Sequence, residues 1–151
     1  MAKKINIVRN RNSNSWIYNN KPLDIIPDDI KYFVYKITQV SSGKIYIGYK
    51  GFYTNRKKKL IKSEISGDKR KKLYKIETKE SNWKDYNSSN KELHDLIVSN
   101  PDNFNKEILL LCKSEKIAKY MEQKLQFINE VLEKDSFNGN IAGKFFRKDL
   151  I

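Results

Sequence analysis

Tyr32-Phe33-Val34-Tyr35-Lys36-Ile37-Thr38 and Lys44-Ile45-Tyr46-Ile47-Gly48-Tyr49, joined through Ser41-Ser42-Gly43, decide the fold of this 151-residue chain. Both stretches are dense in β-branched and aromatic side chains, which fit a pleated, half-buried surface, so each predicts a strand. Ser-Ser-Gly is a turn signal, and the pair therefore reads as an antiparallel hairpin with a short loop. A hairpin with one apolar face needs something to pack on. The sequence downstream offers it.

Asn90 to Ser99 predicts a helix, capped by Ser89 or Asn90, with Leu93, Leu96 and Ile97 on one face. Pro101 stops it. Phe104 to Cys112, with the run Ile108-Leu109-Leu110-Leu111, predicts a third, buried strand. Ser114 caps a long helix from Glu115 to about Lys134, with Ile117, Met121, Leu125, Ile128 and Leu132 near helical spacing. The expected fold is α+β, a small, mainly antiparallel three-stranded sheet flanked by helices. Upstream, residues 1–31 read as an N-terminal arm that Trp16, Ile17 and Tyr18 could anchor, with a short helical turn within Asp24 to Ile30. Residues 32–151 form one domain with a basic insert at 50–80.

Thirty-one Lys and Arg against 18 Asp and Glu give a net charge of +13. The excess is local: residues 50–79 hold twelve basic side chains and three acidic ones. Clustered cations gain from counterion release on a polyanion, so nucleic acid is the leading partner and an acidic membrane surface the weaker one. No apolar run is long enough to span a bilayer, and the first twenty residues lack the apolar core of a secretory signal. One cysteine, Cys112, allows no internal disulfide and suits a reducing cytoplasm. Cysteine and histidine do not cluster at zinc-ligand spacing, and no glycine-rich phosphate loop is present.

Phe33-Val34-Tyr35 is followed, eleven residues after Tyr35, by Tyr46-Ile47-Gly48. Arg56 lies eight residues after Gly48, Glu122 lies in the long predicted helix, and Asn140 follows in Asn138-Gly139-Asn140-Ile141-Ala142. This order resembles the GIY-YIG nucleases over about residues 32–146, and the segment from Glu80 to Ser89 resembles a motif of freestanding phage members. Phe33 stands where that family has its first glycine, and Leu60 where many members have a histidine. The only histidine, His94, lies elsewhere.

The resemblance implies a metal-dependent phosphodiester hydrolase of phage or mobile-element type, such as a homing endonuclease, acting on double-stranded DNA in the cytoplasm of a bacterial or phage-infected host. Glu122 would hold Mg²⁺ (or Mn²⁺), since one carboxylate completed by waters and phosphate oxygens suits that ion. Arg56 would grip the scissile phosphate through its planar fork. Tyr35 would be the general base and Tyr46 its partner, with Lys50 favouring the phenolate. Gly48 and Asn140 would support the site. DNA contacts are expected from Lys57, Lys58, Lys59, Lys69, Arg70, Lys71, Lys72, Trp83, Ser88 and Ser89. Two other readings stay open. One is a DNA-binding protein that kept the fold and lost catalysis; the other is an interaction protein that inhibits another nucleic-acid enzyme. The sequence is compatible with a monomer or a homodimer.

Overall fold

The computed structural model describes residues 15–61 and 74–150. The predicted hairpin is present as β3 (Tyr32–Gln39) and β4 (Ile45–Gly51), paired antiparallel with Tyr35 opposite Gly48 and Ile37 opposite Tyr46. The predicted third strand is β7 (Phe104–Cys112), antiparallel to the other side of β3.

The sheet is five-stranded and mixed, in the order β2-β1-β7-β3-β4, which corrects the three-stranded expectation. The extra strands come from the arm: β1 (Ile17–Tyr18) and β2 (Lys21–Pro22) form a minimal hairpin, and Ile17 pairs in parallel with Glu107. Asn19 and Asn20 between them both have left-handed backbone, φ 49° and 65°. That is the geometry of a tight two-residue hairpin turn, which Asn tolerates better than other side-chain-bearing residues. Trp16 is buried and donates its indole N–H to the Trp83 carbonyl at 2.6 Å. The anchoring expected of Trp16 to Tyr18 is thus met by burial and strand pairing. No helical turn forms between Asp24 and Ile30.

Strand alternation sends side chains to two faces, each with its own core. Phe33, Tyr35, Ile37 and Ile108 pack with Trp16, Phe52, Trp83, Leu93 and Ile97 under α1 (Lys91–Ser99). Val34, Ile47 and Cys112 pack with Ala118, Val131, Leu132 and Ile141 under α2 (Glu115–Ile128). Both helices start where predicted: Asn90 accepts from the Leu93 N–H and Ser114 from the Ile117 N–H. Helix α2 ends at Ile128, short of Lys134, and Glu130 then takes a left-handed φ of 51°. The turn that results brings Val131 and Leu132 back onto the core, so an apolar period continues where the helix does not.

The basic insert contains two strands that its composition did not reveal, β5 (Tyr53–Lys59) and β6 (Tyr74–Glu80). They pair antiparallel as a separate ribbon exposed along its whole length. Its base is tied by Ser81, whose hydroxyl donates to the Gly51 carbonyl and whose N–H donates to the Phe52 carbonyl. A last short pair, β8 (Asn140–Ile141) and β9 (Phe145–Phe146), closes the domain. No helix among the described residues is long and apolar enough to cross a membrane.

Candidate active site

Strand β4 is an edge strand, and its outward backbone groups would be unpaired without side-chain partners. Three residues supply them. Asn138 accepts from the Ile47 N–H and donates to the Ile47 carbonyl, each at 3.0 Å, so its amide imitates a neighbouring strand. Gln126 donates to the same carbonyl at 2.9 Å. The Tyr49 backbone N–H lies close enough to the Glu122 carboxyl to favour its ionised form. Helix α2 lies under one sheet face, and its Glu122 and Gln126, one turn apart, reach the sheet where β4 ends it.

An open cleft of about 400 Å³ lies along that edge, lined by Tyr46, Tyr49, Ser89, Asn90, Glu122, Gln126, Asn138, Gly139, Asn140 and Ala142. Two of the hairpin's residues explain how face and edge connect. Tyr35 and Tyr46 project from the same sheet face and stack with ring centres 6.1 Å apart. Tyr35 lies across Gly48: a Cβ there would sit 2.5 Å from the Tyr35 hydroxyl oxygen and 2.7 Å from Cζ. The glycine is therefore the gap through which the Tyr35 ring crosses β4. Tyr46 reaches the cleft and shares a hydrogen bond with the Ser89 hydroxyl at 3.1 Å. Tyr35 is 1% exposed and packs edge-on against the Tyr86 ring, with centres 6.0 Å apart.

The electrostatics follow from burial. Desolvation raises the Glu122 carboxyl to about 7, against hydrogen bonds from Tyr49 and Gln126 and the attraction of Lys119, which lower it. Burial also pushes the Tyr35 phenol well above its usual range, helped by Tyr86, Tyr46 and Glu122. Tyr46 is raised too, mainly by burial, with the Ser89 hydrogen bond opposing. Tyr49, bonded to Glu115 at 3.1 Å, is pushed up to about 12 by burial and by that carboxylate. Lys50 does not depress Tyr35. Its ammonium lies over the Tyr86 ring, 4.4 Å from the centre, and its own pKa is lowered by burial.

Other expected residues divide clearly. Arg56 is not brought to this cleft; it stands exposed on β5 opposite Glu77. The reason is the ribbon, which carries β5 off the main sheet just past Phe52. Lys57, Lys58 and Lys59 are exposed on the same strand, while Lys69, Arg70, Lys71 and Lys72 fall outside the described residues. Trp83 is 0% exposed, wedged against Phe33 and Phe52, so its ring has no face left for a nucleobase. Ser88 is buried with a left-handed φ of 85° and bonds to Asn90, whereas Ser89 is exposed at the cleft. Asn140 lines the cleft and accepts from the Gly143 N–H. Phe33, in place of a glycine, fills the aromatic core.

Sequence reasoning missed Asn138, Gln126 and the partnership of Tyr86 with Tyr35. Gln126 was signalled only by its spacing of four from Glu122, which puts both on one helix face. It also missed Lys106, buried, lowered to about 7 by desolvation, donating to Asn87 at 3.1 Å and lying 4.4 Å over the Trp16 ring. That contact ties the segment bearing Tyr86 and Ser89 to the sheet.

No group of three or more His, Cys, Asp or Glu side chains converges among the described residues, and Glu122 is the one carboxylate in the cleft lining. The donors fit a hard cation nonetheless. The cleft lining presents Glu122 with neutral amide and hydroxyl oxygens, and the Gln126 Oε1 atom is buried without a hydrogen-bond partner. Its NH₂ side is engaged by the Ile47 carbonyl, which also accepts from Asn138.

The fold and the cleft define an α+β domain in which a tyrosine-bearing hairpin and a helix-borne glutamate meet at a sheet edge. The chain belongs to the GIY-YIG family: residues 16–148 match a family model described as "Putative endonuclease segE, GIY-YIG domain". No curated protein and no solved structure matches it. Nuclease chemistry, and hence a nucleic-acid substrate, is the function class of such a domain.

Proposed function

We propose that this protein is a divalent-metal-dependent DNA endonuclease of phage or mobile-element type, hydrolysing phosphodiester bonds at the β4-edge cleft. One observation carries the reading: Tyr46 and Glu122, 76 positions apart in sequence, line the same cleft. Glu122 would hold Mg²⁺ or Mn²⁺, with Gln126 orienting its carboxylate. Bound there, the ion would acidify a water molecule and offset phosphate charge. Tyr46, the phenol in the cleft, is assigned proton transfer, with Ser89 holding its hydroxyl. Tyr35, closed off beneath it, positions the Tyr46 ring and is itself held by Tyr86. Asn140 stands at the cleft mouth where a phosphate oxygen would lie. The exposed cations of β5, Arg56 among them, are assigned to the DNA backbone, and Lys50 to support of Tyr86.

A burial-raised carboxyl fits this role. The ionised form is costly in the metal-free cleft, and a cation relieves that cost. Supercoiled plasmid incubated with purified protein and Mg²⁺ tests the reading. Metal-dependent nicking is expected from the natural chain and none from Glu122→Ala.

The position of Arg56 outside the cleft favours a second reading, a DNA-binding protein that kept the fold without the chemistry. It predicts duplex binding with no nicking at any metal or protein concentration.

A further inference from the structure

The β5–β6 ribbon has a division of labour between its faces. Alternation puts Tyr53, Asn55, Lys57 and Lys59 on one face, with Thr78, Ile76 and Tyr74 opposite the last three. The other face carries Thr54, Arg56 and Lys58, opposite Lys79, Glu77 and Lys75. Four of those six are cationic, and none is a large apolar group. On the first face, by contrast, Ile76 is 70% exposed and Tyr74 54%, between lysines and an Asn55–Thr78 hydrogen-bonded pair at 3.1 Å.

Both strands are exposed throughout and no described residue packs over either face, and an isolated two-stranded ribbon is marginal in water. Six cations against two acids over the two strands make a polyanion the matching occupant. Strand spacing of about 5 Å lets two strands with their side chains enter a duplex major groove about 12 Å wide. An amide, a hydroxyl, an ammonium and an aliphatic group are also what base edges there are read by: Asn with adenine, Lys with guanine, an apolar group with the thymine methyl.

We infer that the β5–β6 ribbon is a major-groove reading element, with the Asn55, Lys57, Ile76 and Thr78 face turned to the base edges. Arg56, Lys58, Lys75 and Lys79 then reach from the other face to the flanking phosphates. The proposal rests on the reading of the chain as a nuclease of duplex DNA and gives that nuclease its sequence preference. The cleft cuts, and the ribbon chooses where.

Binding to duplexes carrying dimethyl-sulfate methylation tests it, in EDTA so that no cutting occurs. Methylation at guanine N7, in the major groove, is expected to weaken binding by the natural chain at least fivefold at a few positions. Lys57→Ala should abolish that discrimination, and Asn55→Ala/Ile76→Ser should flatten the end-mapped cleavage pattern. Lys58→Ala/Lys75→Ala should weaken binding to all sequences alike and reduce the slope of log K against log[salt] by about 2. Thermal melting checks that each variant remains folded, as expected for exposed positions. Interference confined to adenine N3, in the minor groove, overturns the proposal. So does a natural chain that dimerises through the ribbon in sedimentation, or an Asn55→Ala/Ile76→Ser variant with an unchanged cleavage map. Those outcomes leave plasmid nicking intact, whereas absence of nicking and of duplex binding removes the nuclease reading itself.

Discussion

Glu122 is expensive where it stands, and that gives it two opposite signatures. Its carboxyl is raised to about 7 in the fold from an ordinary value of 4.5, so the folded state prefers the protonated form. The unfolded chain loses that proton first. Stability from this group is therefore full below pH 4.5 and is lost progressively as pH rises to about 7. Glu122→Gln should raise the metal-free melting temperature at pH 8, by about 1–2 kcal/mol after discounting solvent screening, or about 2–6 °C. The gain should vanish near pH 4, and plasmid nicking should be lost at every pH. A melting series at pH 4, 6 and 8 decides it.

Gly48 and the two tyrosines make a second residue-scale case. A methyl at Gly48 meets the Tyr35 hydroxyl oxygen at 2.5 Å and its ring at 2.7 Å, and the side chain, 1% exposed, has nowhere to go. Gly48→Ala should cost about 1–3 kcal/mol in urea denaturation and displace the Tyr46 stack, slowing cleavage with it. Between the phenols, Tyr46→Phe should reduce single-turnover cleavage by about 10²–10⁴-fold, the usual share of a proton-transfer group. Tyr35→Phe should cost less than tenfold. The reverse ranking would return the base to Tyr35.

At the scale of elements, the edge of β4 is the decisive feature. A bare edge strand invites pairing with another chain, and here Asn138 and Gln126 close it while lining the cleft. Asn138→Ala would strip two buried backbone groups of Ile47, of which the carbonyl keeps only Gln126. A loss of about 2–4 kcal/mol is expected in urea denaturation, with a greater tendency to aggregate. Asn138→Ser, which keeps one of the two bonds, should fall between.

The whole molecule separates its tasks in space. The cleft lining contains no Lys or Arg, while the ribbon is cationic and stands outside it. Affinity for duplex DNA should therefore depend strongly on salt while the chemical step does not. With about four phosphate contacts from the ribbon, affinity should fall about 10²-fold between 50 and 200 mM salt. Single-turnover rates at saturating protein should stay level over that range. A titration at four salt concentrations checks both.

Much of this was legible in the order of residues, because the signals are local. The hairpin was legible from two β-branched runs around Ser-Ser-Gly, the helix starts from Asn90 and Ser114, and the partner class from charge packed into residues 50–79. Tyr46 and Glu122 were singled out by an order of motifs resembling the GIY-YIG family, to which the chain belongs. What the sequence did not yield has one physical origin: partners that are distant along the chain. Trp16–Tyr18 looked like an arm because its pairing partner is Glu107, about ninety residues on. Arg56 looked like a member of the cleft because chain spacing says nothing of a ribbon that leaves the sheet after Phe52. Asn138 was passed over for Asn140, two residues away, because only packing shows which amide meets the Ile47 backbone. Propensity and charge act between near neighbours and are written in sequence; desolvation, edge pairing and orientation across a cleft act between surfaces and exist only once the chain has folded.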